Sequence, residues 1–384
     1  MRILVIGSLP KSLIAFRGHL LRTIVSKGHS VWACSNGSDP EVEMELASMG
    51  VKYCHVEVDR AGINPMADIA TFLQLVKLLR KTRPHIVLSY TVKPVIYGGL
   101  AARFCKIPSI YSIITGLGHA FIDVPALRQR ILRNVVRLLY TFSLRFSKKI
   151  FFQNPDDIDE FITLRITDRR RVVLTNGSGV DLRHYFAVPL PSDPVFVLVA
   201  RLLKEKGVRE YVDAAKHLKK KFPALKCLLV GDLDSNPSSI GIEELSKWRE
   251  EGYIEYCGYE KDVRPVIAEA AVLVLPSYRE GTPRSVLEAM AMGRPVIVSN
   301  TPGCRETIAM PAGTVLDRKS AEVIKGENGF LVPVKDVEKL AQAMEQLIIS
   351  PSLRERMGES SRKFAEEKYA VNKINSILLQ EMGL

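Results

Sequence analysis

Short apolar runs alternate with amphipathic stretches along the whole chain, which indicates strands that alternate with helices. Helical periodicity is clear at Leu13–Lys27 and Ile69–Lys81, and again near Val208–Lys221. Because apolar strands separated by helices are typical of parallel sheets covered on both faces, we predict such a sheet in each half. The predicted strands are Ile3–Ile6, Val31–Cys34, Tyr53–Val58, Ile86–Ser89, Ile110–Ile114 and Ile150–Gln153, followed by Val195–Ala200, Cys227–Val230, Ile254–Tyr256, Val272–Leu275 and Val296–Val298.

The Pro-rich segment Val188–Pro194 separates the two sets of predicted elements, and 384 residues agree with two domains. Proline-dense polar stretches are common linkers, so we place the domain boundary there. The first predicted domain covers residues 1–187 and the second covers residues 188–365. Since open α/β sheets bind ligands at the carboxyl ends of their strands, we predict two doubly wound α/β domains that face a central cleft.

Composition and charge exclude several classes of protein. No apolar run reaches the roughly 18 residues that a membrane-spanning helix needs, and the start does not resemble a signal peptide, so we expect a cytoplasmic protein. The six cysteines are far apart and lack metal-site spacing, which favours free thiols. The formal charge of +12 lies wholly in residues 1–187, which hold 26 basic and 14 acidic residues, against 28 of each in residues 188–384. The two halves are therefore expected to have different partners.

The most informative stretch, Pro276–Met290, follows the predicted strand Val272–Leu275 and contains glycine and proline before it becomes helical. Such a strand–loop–helix joint presents free backbone N–H groups that bind phosphate or sugar oxygens. Glu280 in the loop and Glu288 in the helix are carboxylates, which accept hydrogen bonds from sugar hydroxyls. On spacing alone, the alternative is a capping carboxylate followed by a surface glutamate.

Three motifs resemble the family 4 glycosyltransferases of the GT-B fold, which are retaining enzymes that use nucleotide-sugars. The pattern E-G-x-P-x-x-x-L-E from Glu280 to Glu288 is similar to the family signature. The stretch Ala200–Gly207 resembles the loop whose Arg and Lys hold the donor diphosphate, and Thr175–Asp181 resembles a turn ahead of the domain linker. The resemblance implies two Rossmann-like domains and a C-terminal helix, at about 366–384, that crosses back to the first domain.

The resemblance also implies a role for each matching residue. Arg201 and Lys206 would stabilise the leaving diphosphate, since Arg offers a bidentate fork and Lys a point charge. Taken alone, the same two residues would form a solvated basic face. Glu288 would bind the ribose hydroxyls, and Glu280 would bind hydroxyls of the transferred sugar. The other implied donor-binding positions are Thr282, Pro283, Arg284, Ser285, Gly231 and Tyr259.

Similarity in the first half is to a narrower bacterial group, which elongates sugars on undecaprenyl diphosphate for O-antigen, capsule or protein glycosylation. It depends on Tyr90–Pro94, on Tyr97-Gly98 and on Thr115–Phe121. In the second half, Gly231–Ser238 resembles members that add N-acetylgalactosamine to lipid-linked bacillosamine. The resemblance therefore implies a UDP-sugar donor, an N-acetylhexosamine as the transferred sugar, and a lipid-linked oligosaccharide acceptor.

Four residues of the first half are further candidate ligands. Many family members have a Gly-rich phosphate loop after the first strand; here only Gly18 could serve, with Arg17 either supplying charge or lying exposed on a helix. His119 stands where the family often has a histidine that touches the transferred sugar, and the alternative is a structural loop histidine. Lys93 follows a predicted strand at its carboxyl end, which makes it a candidate ligand of the acceptor diphosphate.

The stretch Ala126–Lys149 contains seven basic residues and no acidic residue. A helical projection places Arg130, Arg133 and Arg137 on one side and an apolar face opposite. A basic amphipathic helix can lie in a membrane interface, so we expect the arginines to meet anionic lipid headgroups or the acceptor diphosphate. The alternative is a helix whose apolar face packs on the sheet while its basic face is solvated. Nucleic acid is not an expected partner, because no nucleic-acid motif accompanies the charge.

Together these observations predict a retaining hexosyltransferase, peripheral on the inner face of the cell membrane, with no cofactor. We expect no metal because Arg and Lys supply the positive charge. Catalysis would then consist of positioning and of electrostatic stabilisation of the leaving diphosphate. One alternative is a transferase of the same fold with a soluble acceptor, such as a sucrose- or trehalose-type synthase. Another is a basic membrane- or nucleic-acid-binding module with inactive transferase motifs.

Overall fold

The structure is a computed structural model that describes residues 1–58, 64–116, 127–234 and 236–384. The chain divides into two units, which we call unit 1 and unit 2. Unit 1 comprises Met1–Ser178 together with Lys373–Leu384, and unit 2 comprises Gly179–Asn372.

Unit 1 is built on a parallel sheet with helices on both faces. Its strands are β1 (Arg2–Ile6), β2 (Ser30–Ser35), β3 (Val51–His55), β4 (Ile86–Tyr90), β5 (Ser109–Ile114), β6 (Lys149–Phe152) and β7 (Val172–Leu174). The strand order is β3-β2-β1-β4-β5-β6-β7. The chain runs outward from β1 in one direction and then returns to β4, so the order reverses between these two strands. The helices are α1 (Pro10–Ser26), α2 (Pro40–Ser48), α3 (Pro65–Thr82), α4 (Gly99–Phe104), α5 (Leu127–Leu144), α6 (Pro155–Thr163) and, from the chain end, α13 (Val371–Met382).

The helices of unit 1 cover both faces of its sheet, with one apolar cluster on one face and two on the other. The strand β4 is buried along its whole length, as a central parallel strand requires. On one face α1, α2 and the returning α13 pack against the sheet. On the other face lie α3 and α4, followed by α5 and α6. An ion pair of 3.0 Å between Lys149 Nζ and Glu381 joins β6 to α13.

Unit 2 repeats this architecture. Its strands are β8 (Phe196–Val199), β9 (Cys227–Val230), β10 (Glu255–Gly258), β11 (Val272–Leu275), β12 (Val296–Ser299), β13 (Ile324–Lys325) and β14 (Gly329–Val332). The order is β10-β9-β8-β11-β12-β14-β13, with only the short β13 antiparallel among the described pairs. The order therefore reverses between β8 and β11. The helices are α7 (Val208–Lys219), α8 (Ile242–Glu250), α9 (Arg264–Glu269), α10 (Arg284–Ala291), α11 (Val337–Ile349) and α12 (Pro351–Lys368).

The boundary between the units differs from the sequence prediction. The first unit ends at Ser178 rather than at residue 187, and the chain returns to it at Lys373 rather than at about 366. The Pro-rich segment is held by unit 2: the buried Arg294 donates hydrogen bonds of 3.0 Å to the carbonyls of Val188 and Pro189. Arg354 donates one of 2.9 Å to the Ser192 carbonyl. Proline supplies free carbonyls but no N–H, which suits a segment that accepts hydrogen bonds from arginines.

All the predicted strands are present, with shifts of a few residues at their ends. The three that sequence analysis did not predict are β7, β13 and β14, of three, two and four residues. In the described part of the chain, no helix is long and apolar enough to cross a membrane.

Candidate active site

The predicted motif loops meet at the edge of the unit 2 sheet where the strand order reverses. The stretch Ala200–Gly207 follows β8, and Pro276–Pro283 follows the neighbouring β11. Hydrogen bonds join the two loops, since the Glu205 carbonyl accepts from the Tyr278 N–H at 2.9 Å and from the Ser277 hydroxyl at 3.1 Å. Such a reversal point in an open α/β sheet is where ligands bind.

Glycines permit the close approach of these loops. Gly207 has φ of +72°, and a Cβ there would lie 2.2 Å from the Pro276 carbonyl oxygen. Gly303 has φ of +77°, and a Cβ there would lie 2.3 Å from the backbone oxygen of Glu280. Only glycine combines a left-handed backbone with such close contacts. Gly207 therefore lets the two loops approach each other, and Gly303 lets its own segment pack against the backbone of Glu280.

Lys206 and Glu280 form an ion pair across the two loops. The Lys206 Nζ lies 2.5 Å from Glu280 Oε1, and the two side chains are 19% and 13% exposed. A cation and a carboxylate therefore stand together in a partly enclosed place at the reversal point. An anionic group with sugar hydroxyls would find there one partner for its charge and one acceptor for its hydroxyls.

Arg201 stands on the other side of the same edge. Its Nη1 donates a hydrogen bond of 2.9 Å to Asp234 Oδ2, and its side chain is half exposed. Asp234 is held by a turn in which its N–H donates to the Ser239 hydroxyl. Gly231, just after β9, has φ of +151°, and a Cβ there would lie 1.8 Å from the Ala200 carbonyl oxygen. The backbones after β8 and β9 therefore lie close together, which brings Arg201 within reach of Asp234.

Glu288 is the most enclosed carboxylate of the site. It lies in α10 and is buried, and its Oε1 accepts two hydrogen bonds. One comes from the Tyr185 hydroxyl at 2.8 Å and the other from Arg284 Nε at 2.7 Å. Tyr185 and Arg284 both hold the same oxygen, so the carboxylate is fixed in orientation.

The pKa values of the two partners of Glu288, Tyr185 and Arg284, are both shifted upward. Burial raises the pKa of the Tyr185 hydroxyl, and the neighbouring Glu288 carboxylate raises it further. Burial alone would lower the pKa of Arg284, but Glu288 outweighs it and the net shift is upward. Tyr185 therefore remains a hydrogen-bond donor, and Arg284 a cation, at any physiological pH.

The remaining predicted donor positions lie on the same loops. Pro283 precedes the first residue of α10 and provides no side-chain cap, so the helix begins with the backbone N–H groups of Arg284 and Ser285. The Thr282 hydroxyl donates to the Gly281 carbonyl. Elsewhere on this edge, the Gly231 carbonyl accepts a hydrogen bond of 2.9 Å from Tyr256, whereas Tyr259 is exposed.

The equivalent edge of unit 1 lies after β1 and β4 and has a different composition. The Ser8 hydroxyl bonds that of Thr91, and the Ser12 hydroxyl lies 2.8 Å from that of Tyr90. Arg17 is only 2% exposed and its guanidinium lies 5.1 Å from the centre of the Tyr90 ring. An exposed helix position for Arg17 is therefore wrong.

Gly18 does not form a phosphate loop. It lies in the middle of α1, where its N–H takes part in helical hydrogen bonding rather than facing a ligand. The glycine of this edge is Gly7, because a Cβ there would lie 2.2 Å from the Tyr90 hydroxyl oxygen. The expectation that Gly18 replaces a loop glycine is therefore wrong.

Lys93 stands just after β4, as predicted, but it is paired. Its Nζ donates a hydrogen bond of 2.8 Å to Asp68 Oδ1, and both side chains are mostly buried. Burial raises the pKa of the Tyr97 hydroxyl, and the Asp68 carboxylate, which accepts a hydrogen bond from that hydroxyl, raises it further. Any anion that reaches Lys93 would meet a cation already oriented by a carboxylate.

The helix α5 is present, but its sides differ from the prediction. Arg133 and Arg137 are half-buried rather than on an open basic face. Part of the predicted apolar face is exposed instead, while the core is reached by Val136, Leu139, Tyr140 and Leu144. The side chain of Arg130 and all of His119 lie outside the described residues.

Three residues of these clusters were missed by sequence reasoning: Tyr185, Asp234 and Asp68. Each lies far along the chain from its partner, and only Asp234 carried a signal, the Asp-x-Asp spacing with Asp232. That spacing is common in metal sites, but Asp234 is paired with Arg201. In the described part of the chain, no group of three His, Cys, Asp or Glu side chains could hold a metal ion.

Both halves of the chain match families of glycosyltransferases. Residues 186–364 match the family Glycosyl transferases group 1, and residues 15–177 match the Glycosyl transferase 4-like domain. The first match contains every charged pair described at the unit 2 edge.

Two curated relatives cover most of the chain. One is the N,N'-diacetylbacillosaminyl-diphospho-undecaprenol alpha-1,3-N-acetylgalactosaminyltransferase of Campylobacter jejuni, 27% identical over 379 residues, which are 95% of this chain and 94% of the relative. The other is the UDP-Gal:alpha-D-GlcNAc-diphosphoundecaprenol alpha-1,3-galactosyltransferase of Escherichia coli, 24% identical over 297 residues, which are 74% and 71% of the two chains.

A solved structure shares the fold over the full length of both chains. It is Anabaena Alr3699/HepE in complex with UDP, with a TM-score of 0.76 and 16% sequence identity. With both halves matched by glycosyltransferase families and the whole fold shared, the chain belongs to the glycosyltransferases built from these two domains and has the GT-B fold.

Proposed function

We propose that this glycosyltransferase moves a sugar, an N-acetylhexosamine, from a UDP-sugar to an acceptor linked to undecaprenyl diphosphate, with retention of anomeric configuration. The observation that carries the proposal is the Lys206–Glu280 ion pair at the reversal point of unit 2, with Glu288 on the helix that follows. The named activities of the Campylobacter and Escherichia relatives support the choice of acceptor, and UDP in the Anabaena structure supports the choice of nucleotide.

Arg201 and Lys206 bind the donor diphosphate in this proposal. Its negative charge increases as the bond to the sugar breaks, so cations in fixed positions stabilise the transition state more than the bound donor. Asp234 and Glu280 orient the two cations before the donor arrives. Since these side chains supply the positive charge, the proposal includes no metal ion or other cofactor.

Glu288 binds the ribose hydroxyls and Glu280 those of the transferred sugar. Tyr185 and Arg284 both donate to Oε1 of Glu288, so Oε2 is the oxygen proposed to accept hydrogen bonds from the ribose. The first N–H groups of α10, at Arg284 and Ser285, add donors for phosphate oxygens, with Thr282 and Pro283 shaping the turn before them. Gly231 and Tyr259 lie on the loops proposed to contact the base.

The reaction is proposed to occur on one face of the sugar. The acceptor hydroxyl oxygen forms the new bond to the anomeric carbon while the bond from that carbon to the diphosphate oxygen breaks. The hydroxyl proton passes to the departing diphosphate, which acts as the base. The protein then contributes position and charge rather than a nucleophile.

Unit 1 is proposed to meet the acceptor and the inner surface of the cell membrane. The net positive charge of the chain lies entirely in residues 1–187, which favours an anionic partner such as a diphosphate or acidic lipid. Lys93, oriented by Asp68, is the proposed ligand for the acceptor diphosphate. Arg130, Arg133 and Arg137 add positive charge on α5.

A transfer assay tests the proposal directly. Radiolabelled UDP-N-acetylhexosamines are offered with an undecaprenyl-diphosphate-linked sugar, and in parallel with the same sugar as a soluble glycoside. We expect product on the lipid-linked acceptor only, with an α-linkage from an α-linked donor by NMR and no loss of rate in EDTA. Faster transfer to the soluble glycoside would favour a soluble-acceptor enzyme, and an inverted linkage would exclude the retaining mechanism.

A further inference from the structure

The exposed side of α5 carries a continuous line of large apolar residues. Ile131, Val135, Leu138 and Phe142 are between 42% and 57% exposed. Their spacing of four, three and four residues places them along one side of a helix. We call these four residues the apolar stripe.

The apolar stripe points away from the core of unit 1. On the opposite side of α5, Tyr140 and Leu144 are buried in the core, and the Ser143 hydroxyl donates a hydrogen bond of 2.6 Å to the Val95 carbonyl. The helix is therefore anchored to the domain by one side and shows apolar side chains on the other. A single exposed leucine is ordinary in a folded protein, but four in a line indicate a contact surface.

The charge around the apolar stripe favours an anionic surface. Residues 127–149 contain seven basic residues and no acidic residue. By helical projection Arg145, which is exposed, lies beside the stripe, whereas the half-buried Arg133 and Arg137 project from the opposite side of the helix. An apolar line with a cation beside it, on a segment without acidic residues, matches the layered chemistry of a bilayer surface, where acyl chains lie beneath acidic headgroups.

A neighbouring helix extends this surface. Met66, Ile69 and Leu73 of α3 are exposed and share one side of that helix. The short α4 packs between α3 and α5, and its exposed Phe104 lies 6.0 Å from Phe72 of α3, ring centre to ring centre. The same face of unit 1 thus presents apolar side chains from three consecutive helices.

We propose that the apolar stripe inserts into the headgroup region of an anionic membrane, with Arg145 beside it and the other basic residues of the segment adding to its positive charge. The inference deepens the proposed function, because a lipid-linked acceptor must be reached at such a surface. It sharpens the expectation drawn from the sequence, in which a basic amphipathic helix lies in a membrane interface and its arginines meet lipid headgroups, by naming the side chains that enter the membrane. Here apolar insertion provides the contact and charge provides the attraction.

The test compares two double variants, each of which replaces two exposed branched aliphatic side chains of similar exposure by glutamine. Ile131→Gln with Leu138→Gln alters two stripe residues that are 57% exposed. The control, Ile242→Gln with Ile349→Gln, alters two residues of unit 2 that are 63% and 64% exposed. Binding is measured by co-sedimentation with vesicles of phosphatidylglycerol and phosphatidylethanolamine. Unfolding temperatures and UDP-sugar hydrolysis without acceptor are measured on all three proteins.

We expect the stripe variant to bind vesicles roughly tenfold more weakly than the wild type, because two apolar side chains no longer leave water on binding. The control variant keeps wild-type binding, and donor hydrolysis is unchanged in both. In a second measurement, vesicles containing brominated lipid should quench the fluorescence of the tryptophan introduced by Leu138→Trp. The tryptophan introduced by Ile242→Trp should not be quenched.

Equal binding by the stripe variant and the wild type would overturn the proposal, as would equal losses in both double variants. A wild-type dimer that the stripe variant loses, with vesicle binding unchanged, would assign the stripe to a second copy of the chain instead. Absence of donor hydrolysis in the wild type would count against the proposed function, whereas the vesicle result would still decide the fate of the stripe.

Discussion

The two units have the same sheet topology but place different chemistry at the same point of it. In each, the strand order reverses between the first and fourth strands, and two loops leave the sheet there. In unit 2 these loops are joined by the Lys206–Glu280 ion pair. In unit 1 they are joined by hydroxyl contacts, with Arg17 buried against the Tyr90 ring. The topology fixes where a ligand can bind, and the side chains decide which ligand it is.

The two units also differ in how their charge is arranged. The site of unit 2 consists of close ion pairs, whereas unit 1 carries an excess of positive charge. Residues 188–384 are electrically balanced, and their charged residues near the site occur as pairs. Residues 1–187 carry the whole excess of twelve positive charges. Paired charges suit a small ligand held in one geometry, whereas unbalanced charge attracts an extended anionic partner.

The strongest test of this contrast removes the cations of unit 2. Lys206→Ala and Arg201→Ala should each reduce turnover roughly 100–1000-fold at saturating UDP-sugar, since one donor to a developing charge contributes about 2.7–4 kcal/mol. The exposed Lys204 provides the control, Lys204→Ala, which should retain wild-type turnover. Initial rates give the measurement, and near wild-type turnover in either test variant would remove that residue from the diphosphate site.

The corresponding test in unit 1 uses Lys93. Lys93→Met leaves the mostly buried Asp68 without its cation, which should lower the free energy of unfolding by about 2 kcal/mol. Adding Asp68→Asn should recover most of the lost free energy of unfolding, because the unpaired carboxylate is then removed. Urea denaturation measures both.

If the double variant is stable and hydrolyses UDP-sugar normally, its affinity for the lipid-linked acceptor should be reduced. Unchanged acceptor affinity in that protein would limit Lys93 to a structural role. The outcome decides whether the ion pair of unit 1 serves binding, as the pairs of unit 2 are proposed to do.

Tyr185 provides a smaller effect, within unit 2 alone. Tyr185→Phe removes one hydrogen bond to Glu288 without removing the ring, and should weaken UDP binding roughly tenfold. The loss should be much smaller for 2′,3′-dideoxy-UDP, which lacks the hydroxyls that Glu288 is proposed to bind. Calorimetry checks this with Tyr253→Phe as control, because Tyr253 precedes β10 and lies at the opposite edge of the sheet from the site. Equal losses for both nucleotides would show a general structural effect.

The smallest predicted effect concerns pH. Burial raises the pKa of the Cys304 thiol to about 12 from its ordinary 9.0. The unfolded chain loses this proton above pH 9 while the folded chain keeps it, so stability falls as pH rises. Between pH 8 and pH 10 this thiol should account for about 1 kcal/mol. Cys304→Ala should flatten that dependence in denaturation experiments, and an unchanged slope would contradict it.

The strands of both units could be predicted because their apolar runs are continuous and bounded by turns. The unit boundary could not, since the proline content of Val188–Pro194 does not reveal that Arg294 and Arg354 hold its carbonyls. The role of Gly18 is a different case: it lies inside the predicted helix Leu13–Lys27, so the helical pattern already indicated that it does not belong to a phosphate loop.

In the candidate site, too, some residues could be predicted from the sequence and others could not. Lys206 and Glu280 could be found because the loops that carry them resemble motifs of a known family, whereas their spacing alone left a solvated basic face and a capping carboxylate as alternatives. Tyr185 could not, since 103 residues separate it from Glu288 and nothing local marks the contact. The orientation of α5 was also out of reach, because its projection contains two apolar sides and only packing shows which one faces the sheet.

The central claim is that the edge of unit 2 binds a UDP-sugar through Glu288 and its neighbours. Calorimetric titration with UDP of the wild type, of Glu288→Ala and of the exposed control Glu243→Ala tests it most directly. The account predicts that Glu288→Ala weakens binding at least tenfold, with Glu243→Ala like the wild type. Absence of UDP binding to the wild type, or equal affinity in all three proteins, would contradict it.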